Sequence, residues 1–163
     1  MAECGRRMSR GSAPTVAFDL ERFLRPAGRS GRVVAYAAGD VVFRQGQACP
    51  DVLYIQNGTV KLAVVSRSGR EGVVAMLGRG DFFGEGCLAG QTVRIATATA
   101  MATTRVLSVP KDTMIRLLHE EHEFSDRFLA HMLARNIRIE EELIDHLFNS
   151  SEKRLARTLL LLA

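Results

Sequence analysis

Between Arg32 and Pro110 the chain is written in short apolar-rich runs, each closed by a turn signal, and this constrains the fold more than anything else in it. Val33-Val34-Ala35-Tyr36 ends at Ala38-Gly39-Asp40, Val41-Val42-Phe43 at Gln45-Gly46, and Val52-Leu53-Tyr54-Ile55 at Asn57-Gly58. Thr59 to Val65 meets Ser68-Gly69, and Glu71 to Leu77 meets Gly78-Arg79-Gly80-Asp81. Ile95 to Met101 and Arg105 to Val109 complete the set. Runs this short are strands, and their regular spacing with tight turns predicts an antiparallel barrel or roll. Asn-Gly is the strongest short-range hairpin signal, so a hairpin is expected at Asn57-Gly58.

At Pro110 the period changes. Lys111 to His119 reads as a short helix started by the proline, with Met114, Ile115, Leu117 and Leu118 apolar. A second helix is expected from about Glu123 to Asn149, roughly 40 Å long at 1.5 Å per residue. It carries two apolar stripes. Phe128, Met132, Ile139 and Leu143 form one, with Asn136 between; Leu129, Leu133, Ile137, Ile144 and Leu147 form the other, widened by Phe148. A polar Asn in an apolar seam sets register in helix pairs. A symmetric two-helix dimer seam is therefore favoured over a helix buried on its own domain. Asn149 or Ser150 then suits the cap of a new helix, with Leu155, Leu159 and Leu162 at helical spacing. So apolar a helix, ending in mid-pattern, is expected to begin a further domain.

Within the β-rich part, Phe83-Gly84-Glu85-Gly86-Cys87-Leu88 is followed by Arg94-Ile95-Ala96-Thr97-Ala98-Thr99-Ala100. A glycine turn frees backbone N–H groups for an anion. Arg94 can fork onto two phosphate oxygens. Glu85, an acceptor, suits a neighbouring sugar hydroxyl instead. Cys87 and Leu88 are expected to pack inward.

Phe-Gly-Glu-x-x-Leu followed by Arg-x-Ala-x-x-x-Ala resembles the phosphate-binding cassette of cyclic-nucleotide-binding domains. From about Arg32 onward the chain is similar to the effector half of the cyclic-AMP receptor protein and fumarate–nitrate regulator family. The resemblance implies an α+β fold: an antiparallel β-roll (a double-stranded β-helix), a short helix and a long dimerisation helix. It implies the β-roll with flanking helices over 15–121, the dimerisation helix over 122–149, and over 150–163 the first helix of a winged helix-turn-helix domain, truncated; the arginines and glycines of 1–14 read separately as a flexible basic arm. Glu85 would accept the ribose 2′-hydroxyl and Arg94 would pair with the cyclic phosphate. Backbone N–H groups of Ile95, Ala96 and the Gly84–Cys87 turn would complete the cradle. Leu62, Val74 and Leu77 would wall the sugar and base, and Arg135 on the long helix matches an arginine that approaches the same pocket. Where the receptor protein reads adenine with a threonine and a serine, this chain has Ile139 and Glu140. Glu140 can accept from adenine or guanine, or be a solvated helix residue. Ile95 lacks the hydroxyl that guanine-selective domains place after the arginine. Base identity stays open between cyclic AMP and cyclic GMP.

Bulk composition excludes little. Apolar residues are 47% and charged residues 25%, ordinary for a globular protein. No apolar run approaches the roughly 20 residues of a membrane helix, and no signal region opens the chain, so no membrane partner is expected. The net charge is +4, with Arg6, Arg7 and Arg10 in the arm. Such an arm is more often a solvated tail than a nucleic-acid contact. Cys4, Cys49 and Cys87 are odd in number and scattered, which fits a reducing cytoplasm rather than a disulfide framework or a zinc site. With Cys4 alone near the N-terminus, an iron–sulfur cluster is not indicated. His119, His122, His131 and His146 all fall in the helical part, so neither haem nor an acid–base partner for Glu85 is expected. The expectation is a non-enzymatic sensor without metal or cofactor, self-associating through 122–149, with DNA contact left to an absent C-terminal domain. The alternative keeps the fold with a degenerate pocket that binds no cyclic nucleotide or another effector.

Overall fold

A computed structural model describes residues 20–24 and 31–161, with side chains as far as residue 148. The basic arm expected over 1–14 and the side chains of the last expected helix lie outside the described residues. The chain divides into two compact units, Met1–Leu117 and Leu118–Ala163.

Among the described residues the first unit holds α1 (Leu20–Leu24) and eight strands: β1 (Arg32–Tyr36), β2 (Val41–Phe43), β3 (Asp51–Asn57), β4 (Val60–Val65), β5 (Glu71–Leu77), β6 (Phe82–Phe83), β7 (Thr97–Ala100) and β8 (Thr104–Pro110). They form two four-stranded antiparallel sheets, ordered β1-β8-β3-β6 and β2-β7-β4-β5. The roll is thus a pair of sheets rather than a closed barrel. Only β4 and β5 are both consecutive and hydrogen-bonded to each other, through the Ser66–Arg70 turn. Every other strand-to-strand connection carries the chain from one sheet to the other, the habit of a jelly roll.

Asn57-Gly58 is such a crossing, and the hairpin expected there is corrected. β3 and β4 lie in different sheets. Gly58 is needed for close approach: a Cβ there would fall 2.6 Å from the Thr104 Cα and 2.7 Å from the Thr103 carbonyl oxygen. Buried Thr104 secures the crossing, its hydroxyl donating to the Ala102 carbonyl (2.8 Å) and accepting from the Thr59 N–H (3.2 Å).

The core lies between the sheets. Leu53, Ile55, Val60, Leu62, Leu77, Phe83, Ala96, Ala98 and Val106 are buried together. Central β3 is buried on both faces: Leu53 and Ile55 join this core, while Tyr54 points the other way and meets Phe82 at a 4.9 Å ring separation. This is why β3 reads as a continuous apolar run instead of alternating. The edge strand β5 has the opposite character, with Val73, Val74 and Met76 more than half exposed.

α2 (Lys111–Glu120) follows β8, and Thr113, Met114 and Leu117 are buried. The second unit is dominated by α3 (His122–Leu161), one helix of 40 residues. The new helix expected at Asn149 or Ser150 does not start there. Asn and Ser cap a helix only where the chain also bends away, and with no glycine or proline near, the i→i−4 ladder continues through them. Phe124 and Phe128 are buried and stacked at 6.0 Å. Beyond them Leu129, Leu133, Ile137, Ile139, Leu143, Ile144, Leu147 and Phe148 are all exposed, so both apolar stripes face solvent along most of their length.

Candidate functional site

Arg94 is the centre of the site. Its backbone is clamped before its side chain is placed: the Arg94 N–H donates to the Gln47 carbonyl (2.7 Å), and the Arg94 carbonyl accepts from the Gly46 N–H (2.8 Å). A bridge between Ala48 and Val93 and a bond from the Cys49 N–H to the Thr92 carbonyl (2.9 Å) extend the clamp. The segment before β3 and the segment before β7 therefore hold each other, and the arginine side chain has one way to go, inward.

There it is 4% exposed. Nη1 faces three acceptors, the Gly84 carbonyl (3.1 Å), the Asp51 carbonyl (3.0 Å) and the Cys49 sulfur (3.1 Å). Nη2 pairs with the Asp51 carboxylate, whose other oxygen accepts from the Ser108 hydroxyl. The guanidinium carbon lies 4.3 Å from the centre of the Phe43 ring, and that ring stacks on Phe83 at 5.8 Å. A buried charge needs this enclosure, because desolvating it unpaired is costly. One donor is left over. Arg94 Nε is buried and meets no acceptor among the described residues. A buried N–H without an acceptor is rare in native structures and calls for one.

The cassette stands next to this group. Phe83 ends β6, and Gly84, at φ +73°, turns the chain into a 3-10 helix spanning Glu85–Ala89. Gly84 must be glycine twice over, for its positive φ and because any Cβ would overlap Arg94 Nη1. Glu85 opens the 3-10 helix and is half-buried; Gly86 and Leu88 are likewise half-buried. Cys87 is fully buried, as expected. Burial raises its thiol above the ordinary value, and the adjoining Cys49 sulfur adds to the effect.

The other expected residues are distributed unevenly. Leu62 and Leu77 belong to the closed core, as does Ala96. Val74 is 58% exposed on the edge strand and Ile95 is 65% exposed. Arg135, Ile139 and Glu140 lie on α3 in the second unit, where the Glu140 carboxylate accepts from the Asn136 amide (2.7 Å). A cavity of about 260 Å³ opens beside Arg94, with Tyr36, Phe43, Asp51, Leu53 and Ser108 in its wall. Of the expected site residues, Arg94 alone lines it. Burial raises the Tyr36 phenol, and the Asp51 and Asp40 charges reinforce this against Arg32, so it stays a neutral donor on that wall.

Sequence reasoning missed Asp51, Cys49, Phe43 and Ser108. A signal for Asp51 was present: one carboxylate heading an otherwise apolar strand has to meet a cation once that strand is buried. Nothing in the spacing marks the other three.

Comparison with known proteins identifies the family. A family model described as "Cyclic nucleotide-binding domain" matches residues 33–121, more than half of the chain. The "Cyclic AMP receptor protein" of Thermus thermophilus is 30% identical over 126 residues, covering 77% of this chain and 58% of that protein. The "CRP-like cAMP-activated global transcriptional regulator" of Mycobacterium tuberculosis is 28% identical over 153 residues, covering 94% of this chain and 65% of that one. The chain thus spans less than two thirds of either relative. Among solved structures, a transcriptional regulator from Thermotoga maritima matches with a TM-score of 0.65 at 25% identity, covering 80% of this chain and 98% of that one. The Thermus thermophilus catabolite activator protein matches with a TM-score of 0.61 at 28% identity, covering 72% and 55%.

Proposed function

The chain belongs to the cyclic nucleotide-binding domain family, and from that premise we propose that it is the ligand-sensing and dimerising part of a CRP-like bacterial transcriptional regulator, with cyclic AMP or cyclic GMP as its effector. The observation that carries this reading is the buried Arg94 guanidinium, with every neighbour in place and one N–H lacking an acceptor. A cyclic phosphate oxygen supplies that acceptor through a charge-assisted bond. Because Asp51 already balances the arginine's charge, the phosphate competes with a carboxylate, and the Gly84–Cys87 turn, Ile95 and Ala96 must provide further N–H donors. Glu85 takes the ribose 2′-hydroxyl. Leu62, Val74, Leu77, Arg135, Ile139 and Glu140 are assigned to the sugar and base by resemblance.

The ribose role has a direct test. Calorimetry with cyclic AMP, cyclic GMP and 2′-deoxy cyclic AMP should give about tenfold weaker binding for the deoxy ligand, because the half-buried Glu85 carboxylate loses its donor. Glu85→Gln should narrow that gap. Equal affinity for ribose and deoxyribose ligands removes Glu85 from the pocket, and no heat with any of them favours the degenerate-pocket alternative.

The same reading makes α3 the dimer seam. Its exposed Leu133, Ile137, Ile144 and Leu147 form an apolar line that a second copy would cover, and its unbroken run from His122 to Leu161 suits a lever that carries the ligand signal. Ligand acts on such an equilibrium only through its differential affinity for two states. Residues 150–163 are read as entering the DNA-binding domain of the parent regulator, to which DNA contact is assigned. Sedimentation should give twice the 17.9 kDa chain mass, and Ile137→Asp should give the monomer. A wild-type chain that sediments as a monomer at every concentration ends the dimer assignment.

A further inference from the structure

The enclosure of Arg94 contains a sulfur pair that nucleotide binding does not require. Cys49 sits in the clamp before β3, where its thiol donates to the Gly84 carbonyl (3.4 Å) and its sulfur accepts from Arg94 Nη1 (3.1 Å). Cys87 lies three residues after Gly84, in the 3-10 helix that Gly84 caps. Cys49 is the nearest thiol acting on Cys87, and neither is in a disulfide. No group of three metal-ligating side chains occurs among the described residues, so the pair does not belong to a larger cluster.

We infer that Cys49 and Cys87 form an oxidisable dithiol set into the enclosure of the phosphate-pairing arginine, which a peroxide converts to an intramolecular disulfide. Cys49, at 7% exposure against 0% for Cys87, is the sulfur a small oxidant reaches. The Cys49 sulfur attacks one peroxide oxygen and the O–O bond breaks, leaving a sulfenic acid and one water. The Cys87 thiol then attacks that sulfur, the S–O bond breaks, and the hydroxyl departs with the Cys87 proton as a second water. Two thiols lose two electrons, and hydrogen peroxide is reduced to two waters. Transient disulfides of this kind are those found in a reducing compartment.

Oxidation acts on the site by a definite route. The disulfide has no S–H to donate, so the Gly84 carbonyl loses a donor. The new bond also ties the cassette to the clamp that sets Arg94. A readjusted arginine should bind cyclic AMP about fivefold more weakly, the worth of one hydrogen bond. That consequence rests on the proposed function; the disulfide itself does not.

The bland alternative is that both are inert, buried, small apolar residues. The experiment uses the full chain with Cys4→Ser, so that two thiols remain. After hydrogen peroxide, denaturation, alkylation and peptide mass mapping, the expected result is loss of both free thiols, a Cys49–Cys87 link within one chain, and reversal by dithiothreitol. Two alkylated thiols, separate sulfinic acids, or links only between chains would overturn the inference. Cyclic AMP titration of both forms is read alongside. If the reduced protein binds no cyclic AMP, the pocket reading fails while the peptide map still decides the dithiol. If it binds and oxidation leaves affinity unchanged, the coupling to Arg94 is refuted.

Discussion

Replacing Arg94 by alanine is expected to abolish binding of cyclic AMP and cyclic GMP together and to destabilise the domain at the same time. The binding loss follows from removing the buried cation that pairs with the phosphate. Each charge-assisted bond to phosphate is worth about 1.5–3 kcal/mol, so losing the Nε bond and the Nη2 bond that the phosphate takes over from Asp51 lowers affinity by about 10²–10⁴-fold. The stability loss has a separate origin. Arg94 is 4% exposed and its partner carboxylate 23% exposed, so the variant strands Asp51 beside a hole. Breaking a buried pair costs about 3–5 kcal/mol, and the water still reaching Asp51 puts this case at the lower end. The double variant Arg94→Ala/Asp51→Asn separates the two effects. It removes the stranded charge while keeping an acceptor for Ser108, so its melting temperature should recover much of the loss while nucleotide binding stays absent. Calorimetry showing unchanged affinity in Arg94→Ala sinks the pocket assignment whatever the stability does.

The second large effect is expected from Gly84→Ala, with Gly90→Ala as its control. Both glycines have positive φ, +73° and +89°, so alanine costs about 1–2 kcal/mol of backbone strain at either. They differ in what the new methyl meets. At Gly90 there is nothing within 4 Å; at Gly84 it overlaps Arg94 Nη1. An arginine on the surface would swing aside, but this one is held by Asp51, Cys49 and its own clamped backbone. Moving it breaks the Nη1 bonds and shifts the Nε–H. Gly84→Ala should therefore lose at least about tenfold in cyclic AMP affinity, and Gly90→Ala should bind as the wild type while melting lower. Equal affinities in the two variants would show that the cassette glycine does not position the arginine.

The fold was legible where period and turn chemistry speak locally. The strands from Arg32 to Pro110 and the helix beginning at Lys111 were readable because each is short, apolar and punctuated. The Asn57-Gly58 crossing was misread because Asn-Gly reports a reversal of backbone direction and is silent on which strand the next one joins. The break expected at Asn149 was misread for the converse reason: capping residues permit a helix to start and do not compel one to end. At the site, the spacing of Glu85 and Arg94 was visible, but the arginine's partners were not. Asp51 is 43 residues from Arg94 and Cys49 is 45. No local signal couples positions so far apart.

From residue order alone came the strand-rich unit, the long helix after it, and the motif pairing a carboxylate with a guanidinium across a glycine turn. These depend on properties a residue carries anywhere: period, backbone freedom, charge. Tertiary structure alone decided that the guanidinium is buried, that Asp51 and Cys49 share it, and that a second thiol lies alongside. Burial and pairing are properties of what the chain brings together, and two sheets closing over one cation determine them only once both are in place.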